Sequence, residues 1–415
     1  MSPLTGYVVT LFLGLWSTLP VSPMASPLEV RIPGHEVDEP DAGPPDDAWW
    51  RTGGLSLSGR GIQVEGSDGD WRLRVGGRLH LDSVAFDDDR TPFSNDTNFR
   101  RLRVYVAARW KDLRARVERD FGGTIRGWKS LYVRYLVTKA LRITGGNQIP
   151  PFSLEENTSS NRIPFLERSL SNSLSPGFLT GVAASMKGDR WALGLGYFGN
   201  TFGNEPKRRS RGDGWYFRGT WAPVKEEDSL VHVGASLEVR NIDAGTRYRV
   251  RSRPESGLAT SRLLDTRSIK DVRNTLTWGV ESILRRDRLT LQGEYLMSHL
   301  DRQSTDATFQ GWNARAGWLL RGGQRDYRVR SGSLGSLVSP DGWGALEISA
   351  RISSLDLNDA DITGGSGTNY SLGVDWTLNE NVRILAEGIL SEADPNRDGL
   401  DEELRLVQVR LQFAL

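Results

Sequence analysis

From Trp71 to its end, this chain places apolar side chains at every second position, a period that strands have and helices lack. In "WRLRVGGRLHLD" (71–82) one face carries Trp71, Leu73, Val75, Leu79 and Leu81, and the other carries Arg72, Arg74, Arg78, His80 and Asp82. In "LVHVGASLEVRN" (230–241) Val231, Val233, Ala235, Leu237 and Val239 alternate with His232, Gly234, Ser236, Glu238 and Arg240. The same alternation runs through "WNARAGWLL" (312–320), "ALEISARIS" (345–353) and "YSLGVDWTL" (370–378). The fold class is all-β.

A soluble sandwich also alternates, so other features must decide. The segments run to roughly ten residues, which suits a tilted bilayer crossing better than the average soluble strand. Trp110, Trp191, Trp215, Trp221, Trp318 and Trp376 stand near the ends of apolar faces, where interfacial girdles need them. The chain closes on "RLVQVRLQFAL", with Val407, Val409, Leu411, Phe413 and Leu415 on one face and Gln408, Arg410 and Gln412 on the other. Such a terminal strand can pair with the first and leave no edge. Short turns (285–288, 378–382) alternate with long polar segments (241–273, 391–403). The 345 residues from Trp71, at about 20 to 22 per strand with its loop, predict a transmembrane antiparallel β-barrel of about 16 strands with a water-filled lumen.

Residues 7–21, "YVVTLFLGLWSTLPV", followed by "SPMAS", read as a signal peptide over 1–25, the alternative being a buried N-terminal helix. Residues 26–70 form an acidic, Pro-rich tether and lead-in containing "HEVDEPDAGPPDDAWW", and 71–415 the outer-membrane barrel. Downstream of the N-terminus no apolar run of 18 residues or more could cross a bilayer as a helix. With no cysteine, disulfides, thiolate metal sites and cysteine nucleophiles are excluded. The four histidines, at 35, 80, 232 and 299, have no metal-ligand spacing, and no nucleophile motif accompanies His80 or His232, which leaves a barrel-borne hydrolase a remote alternative. Arginine count alone does not support nucleic-acid binding in an exported barrel.

Charge is concentrated in one region. The whole chain carries +1, whereas Trp71 to Arg168 holds 19 Lys and Arg against 11 Asp and Glu. Arg72, Arg74 and Arg78 share one face of the first strand; Arg101, Arg103 and Arg109 follow on the second, then Arg114 and Arg116. On adjacent strands these would form a cationic wall that concentrates oxyanions. The alternative is a wet wall whose charges pair with Asp112, Glu118, Asp120 and Glu167 and conduct with little preference. In "NFRRLRVYVAARW" (98–110) Leu102, Val104, Val106, Ala108 and Trp110 share the apolar face. Arg100 falls on that apolar register, so it reaches the lumen only from a strand end or a bulge.

Several stretches resemble the phosphate-selective porin family of Gram-negative outer membranes, the O/P-type porins: "LRVGGRLHLD" (73–82), "NFRRLRV" (98–104), "PFSLEENTSSNRIPFLERSL" (151–170), "SPGFLTGVAASMKGDRWALGLGYFGN" (175–200), "RGTWAPVKEEDSLVHVGASLEVRN" (218–241) and "LGVDWTLNENVRILAEGIL" (372–390). The resemblance implies a 16-stranded homotrimeric porin in the outer membrane, with no cofactor, passing phosphate or other small anions. It also implies a third external loop, here 151–177, folded inward as a constriction. By motif it points to Arg78, Arg100 and Arg101, and to Ser159 and Ser160 of the loop. The family's loop lysines are replaced by Asn161, with Arg162 beside it, and by Glu156. The candidate ion path is therefore Arg78, Arg100, Arg101, Arg103, Arg114, Ser159, Ser160, Asn161, Arg162 and Arg168, with no specific phosphate site as the alternative. The closing strand, which in the family ends in an aromatic, here runs Phe413, Ala414, Leu415.

Overall fold

The computed structural model describes residues 54–58, 61–123, 126–203, 212–339, 342–395 and 400–415. The expected signal peptide and most of the acidic tether lie outside the described residues.

Alternation in the sequence becomes strand after strand. A hairpin of β1 (Gly54–Ser58) and β2 (Gly61–Glu65) leads into β3 (Trp71–Asp88), β4 (Asp96–Trp110), β5 (Leu113–Asp120), β6 (Gly127–Leu136), β7 (Leu141–Gln148), β8 (Leu179–Lys187), β9 (Trp191–Phe198), β10 (Gly212–Lys225) and β11 (Ser229–Ile242). After a two-residue pair, β12 (Arg251–Ser252) with β13 (Leu264–Asp265), come β14 (Val272–Arg286), β15 (Leu289–Arg302) and β16 (Ala307–Arg321). A second such pair, β17 (Tyr327–Arg328) with β18 (Ser333–Leu334), precedes β19 (Ala345–Asp359), β20 (Ile362–Thr377), β21 (Val382–Asp394) and β22 (Glu402–Ala414). Setting aside β1, β2 and the two small pairs, sixteen antiparallel strands remain, and β22 pairs with β3 from Leu404↔Asp88 to Ala414↔Arg78. The sheet closes, as a bilayer requires of any strand structure whose backbone cannot bond to water.

The outer face keeps the predicted register. Leu102, Val104, Val106, Ala108 and Trp110 are exposed on β4, and Trp110, Trp215 and Trp221 each show more than half of their surface (61%, 55% and 54%). In a bilayer this surface is covered by lipid, at about 1.5–3 kcal/mol for each large side chain fully removed from water.

The inner face departs from simple alternation. Leu296, Leu300, Phe309, Leu355, Leu357, Leu404 and Leu406 are buried on the inward side, in one cluster with Phe152, Leu170, Leu174, Tyr248, Leu263 and Leu264. Three connecting segments cover them and the polar groups beside them. The first, 149–178, contains one α-helical turn, α1 (Leu154–Asn157), and a short 3-10 helix over Leu170–Leu174. Its Leu154 N–H donates to Glu294 of β15 at 2.9 Å, and its Asn161 and Ile163 carbonyls accept from Arg383 of β21 at 2.7 and 2.6 Å. The second, 243–271, places Glu255 against Arg351 of β19 at 2.5 Å, and its carbonyl accepts from Gln408 of β22 at 3.1 Å. The third, 322–344, is the one long connection at the end where the other described turns are short. Its Arg325 meets Asp375 of β20 at 2.5 Å and the Arg162 carbonyl at 2.9 Å, while Tyr327 bonds His232 of β11 at 2.7 Å. Sequence patterning gave no sign of this third segment.

Residues 54–58 and 61–65, counted in the tether and lead-in on sequence grounds, are strand. β2 continues the sheet beside β3, from Ile62↔Val75 to Glu65↔Arg72, where β22 has ended. Leu415 finishes that strand by exchanging backbone hydrogen bonds with Gly77 at 2.8 and 3.0 Å.

Candidate functional site

The site begins at a break in the β3–β4 ladder. His80 pairs with Arg101 and Leu81 with Phe99, so Arg100 has no counterpart: a β-bulge of one residue. Both Arg100 and Arg101 are thereby buried on the inner side, and Phe99 and Leu102 remain exposed on the outer. This resolves the register conflict that the sequence posed.

Two carboxylates organise the guanidinium groups around the bulge. Glu118 of β5 receives Arg78 at 3.6 Å, Arg103 at 3.2 Å and Arg116 at 2.7 Å, and Arg103 also reaches Asp120 at 2.7 Å. Glu167, on the 149–178 segment, receives Arg100 at 2.8 Å, Arg101 at 3.6 Å and Arg410 of β22 at 2.9 Å. Arg410 also grips Asp82 at 2.6 Å. Burial opposes ionisation of Glu167, but the three surrounding guanidiniums outweigh it and hold its carboxyl well below the usual range.

Between the two groups the 149–178 segment touches the wall. Asn161 Oδ1 accepts from Arg78 at 3.3 Å and lies 3.1 Å from Nε2 of the buried His80. Since that oxygen only accepts, His80 donates from Nε2, and its bare Nδ1 faces Arg101 at 3.5 Å. Ser160 Oγ accepts from Arg78 at 3.4 Å.

Six of the ten candidates from the sequence thus converge: Arg78, Arg100, Arg101, Arg103, Ser160 and Asn161. The others sit differently. The Ser159 carbonyl accepts from the Arg162 N–H at 2.9 Å, which closes a turn, and Arg162 offers its own carbonyl to Arg325. Arg168 folds back on its segment, donating to the carbonyls of Glu155, Glu156 and Thr158 at 2.8, 3.1 and 2.9 Å. Arg114 lies nearer the short-turn end, in a cross-strand row Arg72↔Arg109↔Arg114↔Arg134. Like charges directly opposite repel. Arg72 is held by Glu65 of β2 at 2.7 Å.

Sequence reasoning missed Arg325, Arg351 and Arg383, which fasten the segments to the far wall; their only signal was a lone arginine at a polar position or within a loop. Neither His80 nor His232 hydrogen-bonds a serine hydroxyl among the described residues; His232 lies 2.9 Å from Glu281 and 2.7 Å from the Tyr327 hydroxyl.

The comparisons decide the family. Residues 73–415 match the family model described as phosphate-selective porin O and P. The chain belongs to that family. It is a porin of the bacterial outer membrane. Porin O of Pseudomonas aeruginosa is 25% identical over 402 residues, covering 85% of this chain and 91% of that one. Among solved structures, OmpT of Vibrio cholerae in a trimer form superposes with a TM-score of 0.53 at 14% identity, covering 83% of this porin and 99% of that chain. An anion-selective porin from Comamonas acidovorans gives 0.50 at 12% identity, over 83% and 100%. At these identities the solved structures support the barrel alone. For an outer-membrane porin the short-turn end is periplasmic and the long-loop end external.

Proposed function

We propose that this porin passes small solutes by diffusion and prefers anions, with 151–177 narrowing the path and Arg78, Arg103, Arg114, Ser160 and Asn161 bordering it. One observation carries the reading. Arg72, Arg78, Arg103, Arg109, Arg114 and Arg116 stay partly exposed on the inner face of β3–β5, whereas Arg218, Arg351, Arg383 and Arg410 on the other strands are buried. Water that enters therefore meets the cationic side. Guanidinium is always charged and matches oxyanions in a fork, so phosphate and other oxyanions are the solutes favoured. The relatives point the same way, since the family is described as phosphate-selective and the Comamonas porin as anion-selective. We propose a homotrimer, in line with the trimer form of OmpT. The proposal also includes export by a signal peptide over 1–25 and a tether following it.

A second reading, a weakly selective porin with no specific phosphate site, is favoured by the acids within the cluster: Glu118 and Glu167 each neutralise part of three guanidiniums. The reversal potential of single channels in a planar bilayer under a KCl gradient tests the first. Chloride preference is expected, and cation preference overturns it. Adding phosphate separates the two: block of the chloride current at millimolar phosphate supports an oxyanion site, and undisturbed current supports the weakly selective channel.

A further inference from the structure

The Glu167 carboxylate has the surroundings that a dissolved oxyanion would seek. Arg100 donates to it from Nη2 at 2.9 Å and brings Nε within 2.8 Å of its other oxygen, while Arg410 adds a hydrogen bond from Nη2 at 2.9 Å and Arg101 stands at 3.6 Å. The bulge exists at the one position that turns two adjacent arginines toward the same group. Gly257 of the 243–271 segment closes over them: a Cβ there would stand 2.0 Å from Arg100 Nε and 3.0 Å from a Glu167 carboxyl oxygen, so a larger residue would push the Arg100 side chain aside. A window remains, because the Glu167 side chain is 14% exposed against 1% for Arg410.

The carboxylate is not what fastens its segment to the wall. The Leu166 carbonyl accepts from Arg410 at 2.5 Å, the Glu167 carbonyl accepts from Arg351 at 3.0 Å, and the Leu166 N–H donates to Glu387 at 3.0 Å. These main-chain bonds survive any change of the Glu167 side chain.

We propose that Glu167 is a built-in counter-ion, a carboxylate that occupies the oxyanion site of Arg100, Arg101 and Arg410 and thereby sets how strongly the channel prefers anions. The proposal rests on the anion-channel reading above. With Asp82 on Arg410, three guanidiniums face two carboxylates here; without the Glu167 charge they face one. A tethered carboxylate competes with every passing anion at high effective concentration, so solute binds weakly and leaves fast. Conduction requires that compromise, since a site that holds its ion tightly is blocked by it.

The test uses the full-length porin in planar bilayers, with KCl gradients and inorganic phosphate as probes, on wild type, Glu167→Gln, Glu167→Asp and Glu167→Gln combined with Arg100→Gln and Arg101→Gln. Heat-modifiable migration on gels confirms that each barrel has folded. Glu167→Gln should move the reversal potential toward chloride and bring phosphate block to about tenfold lower concentration, the worth of one charge-assisted hydrogen bond. Glu167→Asp, which keeps the charge, should lie nearer to wild type than Glu167→Gln in both readouts, and the added arginine replacements should cancel the gain. If wild type prefers anions and folded Glu167→Gln leaves both readouts unchanged, this proposal alone falls. A wild type without anion preference overturns the functional reading and this proposal with it.

Discussion

Arg78 has a different standing from the arginines around it. Arg100 and Arg101 are buried against Glu167, but Arg78 is partly exposed, shares Glu118 with two others and offers Nη1 to Ser160 and Asn161. Replacing Arg78 by Ala should therefore lower chloride preference with the barrel intact, measured as a reversal potential displaced toward zero. Glu118 is the opposite case, since its charge is surrounded by three guanidiniums and almost inaccessible to water. Glu118→Gln should destabilise the barrel by about 1–3 kcal/mol, because it removes the buried charge that three guanidiniums share as acceptor. The midpoint of urea unfolding, followed by heat-modifiable migration, reads that loss.

At the scale of elements, the external rim is tied by a clasp with its own pH limit. Asp271, just ahead of β14, takes hydrogen bonds from Ser304 and from Arg302 Nε at 3.1 Å, and Arg302 reaches Asp361 of the β19–β20 turn at 2.5 Å. The Ser304 bonds, opposed by slight burial and reinforced by Arg302, bring the Asp271 carboxyl from 3.8 down to about 2. A depressed carboxyl stabilises the folded form above its ordinary value, and that contribution disappears as pH falls through the folded one. Pepsin cleavage within 303–306 should therefore rise as pH drops from about 4 to about 2, and Ser304→Ala should move the rise to higher pH. The 322–344 segment rests on Arg325, whose guanidinium joins Glu347, Asp375 and the Arg162 carbonyl at 3.1, 2.5 and 2.9 Å. Arg325→Ala should release it, giving noisier single-channel current and a loss of about 3–5 kcal/mol, as for other buried pairs broken on one side.

For the whole molecule, Arg351, Arg383 and Arg410 are buried, while Arg72, Arg78, Arg103, Arg109, Arg114 and Arg116 stay partly exposed along the wall of β3–β5. Selectivity from such a wall is an effect of field more than of contact, so it depends on screening. The Debye length shrinks from about 10 Å at 0.1 M salt to about 3 Å at 1 M. Chloride preference should fall steadily across that range; a preference independent of salt would point to a dehydrated contact site instead. The barrel, its strand number and the outward side chains were legible in the sequence, because a period of two is written in neighbouring residues and lipid selects the apolar face. The bulge was half legible: the register of Arg100 required a strand end or a bulge, without saying which or where the freed side chain would go. The 322–344 segment and the leucines facing inward on β15, β19 and β22 were not legible, since an inward leucine makes sense only once a distant loop is known to cover it.

By itself the sequence determined a closed outer-membrane barrel with a basic face toward its lumen. Tertiary structure decided which of those basic groups stay partly exposed and which are buried against the protein's own acids. The partners explain the difference: Arg410 pairs with Asp82 across 328 positions and with Glu167 across 243, while Arg78 reaches Glu118 at 3.6 Å over the single strand that separates β3 from β5. Alternation is a local property, but neutralisation of charge depends on which strand and which loop the closed barrel brings opposite each other.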